Sequence, residues 1–359
     1  MTERVYNFSA GPSIMPESVL KRAGSEILNY NGSGMSVMEM SHRSAVYIDI
    51  FNSVKAKLKA LMQVPDSHEI LFLQGGATAQ FAAIPMNLIK GGTADYAVTG
   101  HFSKRAAAEA GKYGKINLAC DTTELKHSLI PARSELSVSA GAEYFYYCAN
   151  NTIYGTQWSY VPETEAPLVC DMSSEIMSKP VDVSKFGLIY AGAQKNMAPA
   201  GLTVVIVDKA LAGHQLPYTP EIMCYDALIA KDSMLNTPPC WCIYMLGLMC
   251  DWVAEQGGLP AMAELARMRS ELVYSVLDES SFYLPHAKAD SRSTMNVTFR
   301  CPTAELDAAF VKGAAERGLV NLKGHKQTGG LRASLYNAMP LEGAAALVEY
   351  MKEFEVRNV

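Results

Sequence analysis

Two side chains in the middle of the sequence, Lys195 and Asp171, have types and positions suited to amine chemistry on a carbonyl group. Lys195 lies in the segment GAQKN, directly after one apolar run and shortly before a second, TVVIV. Because a lysine beside a packed core is costly to keep as an ammonium ion, its pKa falls and its amine can form a Schiff base. Taken alone, this pattern favours an ordinary surface-loop lysine after a strand.

Asp171 ends the apolar run PLVC, upstream of Lys195. The carboxyl end of a parallel strand faces the ligand crevice of an open α/β sheet. A carboxylate there can hold a proton on the ring nitrogen of pyridoxal phosphate, which the cofactor needs to stabilise a carbanion. Alone, Asp171 is equally typical of a helix N-cap. The pair, an aspartate at one strand end and a lysine at the next, is more specific than either residue.

The glycine turn Gly75–Gly76–Ala77–Thr78 separates a predicted strand from a predicted helix. Glycines allow close approach of the backbone, the first turn of a helix offers free N–H groups, and Thr78 adds a hydroxyl donor. The segment therefore predicts a phosphate site. It is neither GxGxxG nor a Walker loop, so it is weak evidence when considered alone.

Short β-rich runs alternate with helical stretches over the first 260 residues, a pattern typical of an open, mainly parallel α/β sheet. The predicted strands there are 69–74, 95–100, 116–120, 143–150, 167–173, 186–192 and 203–208, and the predicted helices are 44–63, 79–89 (with Pro85 as a kink or boundary) and 103–114.

Beyond residue 260, predicted helices and alternating strands indicate a smaller α+β unit. Its predicted helices are 264–278, 303–317 and 341–355, and its predicted strands are 293–300 and 331–337. We therefore predict a large domain over 16–260 and a small domain formed by 1–15 together with 261–359.

The composition argues against several classes of partner. A net charge of −5 and a pI of about 5.9 are unfavourable for binding nucleic acid or an acidic membrane surface. The sequence has no apolar run of about 18 residues, which a membrane-spanning helix needs, and no secretory signal pattern. Its 8 cysteines are too dilute for a disulfide framework and lack the spacing of a metal site. A cytoplasmic protein without a bound metal is expected.

These features together resemble the class V aminotransferases, which are fold type I pyridoxal-phosphate (PLP) transferases, and in particular the members that make phosphoserine. The resemblance extends over essentially the whole chain. The matching passages are NFSAGPSIMPESVL (7–20), MEMSHRS (38–44), FLQGGATAQFAAIPMNL (72–88), NNTIYGTQW (150–158), the stretch 170–207 around AGAQKN, NTPPC (236–240) and NLKGHKQTGGLRASLYNAMP (321–340). It implies an α/β fold with a large, mainly parallel sheet of the seven-stranded type and a smaller α+β domain.

The resemblance also implies roles for individual residues. Lys195 would carry the cofactor and shuttle a proton, and Asp171 would pair with the pyridine nitrogen. Asn236 and Thr237 would reach the cofactor phosphate of the partner subunit, which implies a homodimer with shared active sites. The other cofactor-binding residues implied are Ala77, Thr78, Phe102, Thr152 and Gln194.

The implied reaction converts 3-phosphohydroxypyruvate and L-glutamate into O-phospho-L-serine and 2-oxoglutarate, a step of serine biosynthesis. The phosphorylated four-carbon analogue of pyridoxine biosynthesis is a further possible substrate. Arg332 would grip the α-carboxylate with its planar guanidinium group. The remaining residues, which would contact the substrate and its distal anion, are Ser9, His42, Arg43, His325 and Lys326.

Two positions depart from the family pattern. Phe102 stands where the family usually has a tryptophan stacked on the pyridine ring, and Lys326 stands where it usually has arginine. Phenylalanine still stacks, with less area and no N–H donor. Lysine keeps the charge but loses the two-pronged geometry of arginine. The resemblance therefore indicates the type of reaction more firmly than it indicates which substrate is preferred.

Three alternatives are disfavoured by the sequence. A cysteine desulfurase or another class V enzyme is disfavoured, because desulfurases usually have histidine before the lysine and this chain has Gln194. A nicotinamide oxidoreductase is disfavoured because no GxGxxG follows a strand. A catalytically inactive binding protein is disfavoured by the presence of both Asp171 and Lys195.

Overall fold

The structure is a computed structural model that describes residues 4–358. Its α-helices are α1 (Glu17–Glu26), α2 (Ala45–Met62), α3 (Gly76–Leu88), α4 (His101–Ala110), α5 (Tyr225–Ala230), α6 (Cys240–Glu255), α7 (Gly258–Glu279), α8 (Ala304–Glu316) and α9 (Leu341–Asn358). Its strands are β1 (Tyr6–Asn7), β2 (His68–Leu73), β3 (Thr93–Val98), β4 (Lys115–Asp121), β5 (Phe145–Cys148), β6 (Asn150–Asn151), β7 (Thr156–Gln157), β8 (Leu168–Asp171), β9 (Leu188–Gly192), β10 (Thr203–Asp208), β11 (Leu284–Pro285), β12 (Asn296–Arg300), β13 (Leu319–Val320) and β14 (Leu331–Ser334).

A seven-stranded sheet forms the centre of the fold, as the sequence predicts. Its strand order is β2-β10-β9-β8-β5-β3-β4. All neighbouring pairs are parallel except the two that involve β10, which is antiparallel to β2 and to β9. The parallel strands β5, β8 and β9 are adjacent, so their carboxyl ends meet at one edge of the sheet.

Helices cover both faces of this sheet, which explains the uninterrupted apolar runs. Along β10, Val204 and Ile206 pack into one core with α2 and α6, whereas Val205 and Val207 pack into a second core with α3 and α4. Successive side chains of a strand point to opposite faces, so both faces need apolar residues. The large sheet is therefore buried throughout its central strands.

A third core lies among the C-terminal elements. The antiparallel sheet β11-β12-β14 packs with α8 and α9. Strand β1 pairs in parallel with β13, and the N-terminal side chains Phe8 and Ile14 join the same core. Helix α7 contributes Leu259 and Met262 to the first core and Val273 to the third. The predicted division at residue 260 falls in the first turn of this helix and stays a prediction.

Some elements differ from the sequence-based expectation. Helices α1 and α6 were not predicted, and the predicted strand 143–150 is divided between β5 and the short hairpin strand β6. Pro85 lies inside α3, which continues to Leu88, so it does not mark a boundary. Burial of Phe81, Ile84 and Leu88 offsets the cost of about 3 kcal/mol that an interior proline carries. Within 4–358, no helix is both long and apolar enough to cross a bilayer.

Candidate active site

The candidate site lies at the edge where β5, β8 and β9 end. Asp171 is the last residue of β8 and is the register partner of Tyr190 on β9. The chain leaves β9 at Gly192 and turns, which places Lys195 at the same edge. Thr152 lies in the turn between β6 and β7, which follow β5 directly. Adjacent parallel strands thus deliver the acid, the amine and a hydroxyl to one place.

The amine of Lys195 is held by the Thr152 hydroxyl. Lys195 Nζ donates to Thr152 Oγ1 at 2.7 Å, and Nζ lies 5.8 Å from the centroid of the Phe102 ring. Lys195 is half-buried. Burial lowers the pKa of Lys195, and the charge of Arg332 lowers it further, while Asp171 acts in the opposite direction. The geometry therefore holds a lysine whose amine is more readily deprotonated than usual.

The N-terminal segment fixes the backbone on either side of this amine. The Ser13 hydroxyl donates to the Lys195 carbonyl, and Ser13 N donates to the Gln194 carbonyl at 3.0 Å. Gly11 has φ +135°, and a Cβ there would lie 3.3 Å from Lys195 Cγ. Only glycine suits this close approach with a positive φ. Gly11 and Ser13 were not identified as site residues from the sequence.

Asp171 is buried, with 4% of its surface exposed. Its Oδ1 accepts from the Ser173 backbone N–H at 2.9 Å, and its Oδ2 accepts from the Tyr190 hydroxyl at 3.1 Å. A buried carboxylate is costly unless it accepts hydrogen bonds, and these two donors supply one to each of its oxygens. The site thus contains an oriented acid within the electrostatic reach of Lys195.

The glycine turn lies at the start of α3. Gly75 and Gly76 have φ of +90° and +65°. The first N–H groups of α3, as of any helix, have no partner within the helix. Ala77 is half-buried and Thr78 is exposed. The turn can therefore present backbone donors and one hydroxyl to an anion.

Asn236 and Thr237 border this turn in their own chain. Asn236 Nδ2 donates to Gln74 Oε1 at 2.7 Å, and Gln74 Nε2 donates to the Thr237 carbonyl at 3.4 Å. Gln74 directly precedes the glycine turn. The contact with the cofactor of a partner subunit stays a prediction.

A group of basic side chains lies near Lys195. Arg332 Nη1 donates to the Thr152 carbonyl at 3.4 Å, and burial lowers the pKa of Arg332. Burial also lowers the pKa of His325, with the charges of Arg332 and Lys326 adding to the effect. The rings of His325 and His101 are 6.2 Å apart. These groups form a basic wall, and the charges of Arg332 and Lys326 suit it to a compact anion.

Gln327 connects this wall to the start of α4 and to the turn between β6 and β7. Gln327 Nε2 lies 2.8 Å from His101 Nδ1, and the Tyr154 hydroxyl donates to Gln327 Oε1 at 3.1 Å. His101, Tyr154 and Gln327 were not identified from the sequence. The available signal was position, because each lies within two residues of a predicted site residue: Phe102, Thr152 and Lys326, respectively.

The remaining predicted substrate residues are not joined to Lys195 within one chain. Ser9 is half-buried, and its backbone N–H bonds to Asn7 Oδ1 at 3.0 Å. Arg43 is exposed, and its backbone N–H bonds to Ser41 Oγ at 3.3 Å. In the part of the chain that the structure describes, no hydrogen bond or ion pair connects His42 or Arg43 to the strand-end residues.

These residues fit pyridoxal phosphate. The amine of Lys195 can carry an aldehyde, the buried carboxylate of Asp171 can face a ring nitrogen, and the Phe102 ring lies beside the amine. The positive-φ glycines leave room for a phosphate at the start of α3, since a Cβ on Gly76 would meet no atom within 4 Å. Each chemical part of the cofactor has a matching group.

Comparison with known proteins agrees with this geometry. The family model for "Aminotransferase class-V" matches residues 5–347. The phosphoserine aminotransferase of Aromatoleum aromaticum is 48% identical over 363 residues, which cover 99% of each chain. The structure of the phosphoserine aminotransferase from Bacillus circulans subsp. alkalophilus superposes with a TM-score of 0.97 at 43% identity and covers 100% of both chains.

A third similar protein is the PLP-bound phosphoserine aminotransferase from Trichomonas vaginalis, with a TM-score of 0.93 at 39% identity over 97% of this chain and 100% of that one. The fold is thus that of the PLP-dependent aminotransferases, and the family match spans nearly the whole sequence. On these grounds the chain belongs to the class-V aminotransferase family, whose members are pyridoxal-phosphate-dependent enzymes.

Proposed function

We propose that this chain transfers the amino group of L-glutamate to 3-phosphohydroxypyruvate, forming 2-oxoglutarate and O-phospho-L-serine for serine biosynthesis. The exchange balances without an external oxidant or reductant, because one keto acid is consumed as the other is formed. The observation that carries the proposal is the Lys195 amine, held at 2.7 Å by Thr152 and close enough to Asp171 and to Arg332 of the basic wall for both charges to act on it. The names of the similar proteins specify the phosphorylated substrate.

Lys195 is the proposed proton carrier of the reaction. When bound, pyridoxal phosphate stores the amino group between the two half-reactions and withdraws electrons from the substrate Cα. The Lys195 amine removes the Cα proton of glutamate and later returns a proton to the Cα of the product. The lowered pKa of Lys195 makes the unprotonated amine, which is the base, more readily available than in an ordinary lysine. Thr152 keeps Nζ on the side of the cleft that the Phe102 ring borders.

The basic wall is the proposed substrate subsite. Arg332 is anchored by the Thr152 carbonyl, so its guanidinium group is held close to Lys195, where an α-carboxylate would bind. His325 and Lys326 lie farther along the wall, next to His101. A phosphate ester and the side-chain carboxylate of glutamate are both compact, oxygen-rich anions. One cationic subsite can therefore accept the distal group of either substrate in turn.

The first experiment tests the cofactor role of Lys195. Purified protein with pyridoxal phosphate should absorb visible light, and borohydride should attach the chromophore to the Lys195 peptide. Lys195→Ala should abolish transamination while leaving the melting temperature nearly unchanged. Full turnover by Lys195→Ala would refute the assigned role.

The second experiment tests the substrate. Phosphorylated and unphosphorylated keto acids of equal carbon length are compared as amino acceptors from glutamate. The phosphorylated acid should have the higher kcat/KM because the basic wall faces its distal anion. Equal kcat/KM values for both would contradict the proposed substrate but leave the transaminase chemistry intact.

We also propose that the active protein is a homodimer. The segment 27–48, which carries His42 and Arg43, exposes a row of apolar side chains, namely Leu28, Met35, Met38, Val46 and Ile48. Such a patch is unfavourable in water and is typical of an interface. Pairing two copies would bury the patch and could bring His42 and Arg43 to the partner's site, since they have no role in their own.

Sedimentation velocity tests this dimer with a matched pair of variants. Leu28→Glu places a charge in the patch, whereas Val356→Glu does so at an equally exposed apolar residue on α9 (83% and 82% exposed). Leu28→Glu should weaken the dimer and lower activity, and Val356→Glu should do neither. A monomeric and fully active wild-type protein would refute the shared active site.

The proposed location is the cytoplasm. All eight cysteines are free thiols in the structure, which suits a reducing compartment. Fractionation of cells that produce the protein, followed by immunoblotting, tests this location.

A further inference from the structure

A chain of buried hydroxyl groups leads to the carboxylate of Asp171. The Tyr146 and Tyr190 hydroxyls are 2.7 Å apart, and the Tyr190 hydroxyl donates to Asp171 Oδ2 at 3.1 Å. The two tyrosines are 1% and 0% exposed and belong to the core beneath α3 and α4. The three residues lie on the adjacent parallel strands β5, β8 and β9, so the sheet itself sets their spacing.

The protonation of the two tyrosines fixes which hydroxyl donates and which accepts. Burial and the nearby charge of Asp171 raise the pKa of both tyrosines well above the ordinary value, so both phenols stay protonated. Tyr190 has one proton and uses it on Asp171, so its oxygen accepts the proton of Tyr146. Each hydrogen bond polarises the next, and the chain as a whole donates toward the carboxylate.

We propose that Tyr190, oriented by Tyr146, is a positioning residue that holds the carboxylate of Asp171 in the orientation in which it faces the ring nitrogen of the cofactor. A carboxylate held by this donor would keep its charge directed at the ring nitrogen, where it would stabilise a proton. Without the donor, the Asp171 side chain would be free to rotate, and its charge would stabilise that proton less well. This inference rests on the proposed role of Asp171 in cofactor binding.

The same core contains a second pair of buried tyrosine hydroxyls, which serves as a control for the Tyr146–Tyr190 pair. The Tyr144 and Tyr96 hydroxyls are also 2.7 Å apart, and these side chains are 0% and 1% exposed. Among the described residues, neither hydroxyl donates to a carboxylate. Tyr144 and Tyr146 are two residues apart and face the same core. Removing either hydroxyl breaks one buried tyrosine pair, but only one of the two pairs ends at Asp171.

The experiment compares Tyr190→Phe, Tyr146→Phe and Tyr144→Phe with the wild-type protein. Three quantities are measured: the Kd of pyridoxal phosphate for the apoenzyme, the pH titration of the bound chromophore's absorbance, and kcat with KM. Because Tyr190→Phe removes a hydrogen bond to a charged group, it should raise the Kd of pyridoxal phosphate and lower kcat, each by about tenfold or more. Loss of the outer donor predicts about threefold for Tyr146→Phe, and Tyr144→Phe should stay within about twofold.

The readouts separate positioning from mere packing. Tyr146→Phe and Tyr144→Phe should lower the melting temperature equally, while only Tyr146→Phe and Tyr190→Phe shift the chromophore titration. KM should stay nearly constant in all three variants. If the Tyr146 and Tyr144 variants are equal in all three quantities, or Tyr190→Phe binds and titrates as the wild type does, the inference is wrong.

Failure of the inference can be distinguished from failure of the proposed function. Wild-type protein that does not bind pyridoxal phosphate, or Asp171→Asn that binds and reacts normally, would overturn the role of Asp171 itself. Normal wild-type chemistry and a defective Asp171→Asn, combined with unchanged tyrosine variants, would overturn only the role of the hydroxyl chain.

Discussion

Gly155→Ala should destabilise the protein and weaken the site through one identifiable contact. Gly155 ends the turn that carries Thr152, and its φ is +72°. A Cβ there would lie 2.8 Å from the Asn296 carbonyl oxygen and 3.1 Å from Thr298 Oγ1, both on β12. These atoms belong to a strand backbone and a buried side chain, so they cannot move without disturbing the small sheet.

The size of the effect can be worked out from two contributions. A positive φ costs a non-glycine residue about 1–2 kcal/mol, and forcing an atom into a packed contact costs about 1–3 kcal/mol more. The unfolding entropy of a chain of this length makes 1 kcal/mol equal to about 1–2 °C in melting temperature. Gly155→Ala should therefore lower the apparent melting temperature by about 3–7 °C. Because Thr152 holds Lys195 Nζ, the Kd of pyridoxal phosphate should also rise.

Gly141→Ala is the matched control, because Gly141 has φ +69° but no atom within 4 Å of its added Cβ. Gly141→Ala carries only the free-energy cost of a positive φ, so it should lower the melting temperature by about 1–3 °C and leave cofactor binding unchanged. Differential scanning fluorimetry and cofactor titration measure both effects. Equal melting temperatures for the two variants would show that the contact of the added Cβ with β12 does not destabilise the fold, which would refute the prediction.

Three further predictions concern the site. Asp171→Asn removes the charge that raises the pKa of Lys195, so the rate of chromophore formation by the apoenzyme should reach its half-maximum at a lower pH; an unchanged or higher midpoint contradicts this. Lys326→Arg restores a two-pronged cation, so kcat/KM for the phosphorylated acid should stay equal or rise; a collapse would mean that the subsite is built around lysine. Gln327→Ala removes two hydrogen bonds that hold the basic wall, so the KM of the keto acid should rise by up to about fivefold. The Kd of pyridoxal phosphate should stay constant, and a change in that Kd alone would refute the role of Gln327 in the substrate subsite.

Much of the architecture was predictable because it depends on local patterns of apolar and polar residues. Apolar runs buried on both faces predicted the parallel sheet, and the confirmed seven-stranded sheet contains them. Asp171 and Lys195 could be placed at neighbouring strand ends because each directly follows such a run. Helix α6 escaped prediction because it is apolar around most of its circumference and therefore lacks the periodicity of an amphipathic helix.

The contacts within the site were not predictable by the same reasoning. His101 and Gln327 are 226 positions apart in the chain, and Ser13 and Lys195 are 182 apart. No local pattern encodes such pairs, since they arise from the register of the sheet and the packing of the third core against it. The hydroxyl chain to Asp171 is of the same kind, because three separate strands must align before it exists.

The sequence by itself determined the class of fold, the strand ends that carry the acid and the amine, and, through its long matching passages, the family. Only the tertiary structure decided which hydroxyl holds Nζ, which donors set the state of Asp171, and which loop supports the basic wall. The physical reason is range: hydrophobic periodicity acts over a few residues, whereas hydrogen bonds of about 3 Å require the whole chain to be folded first.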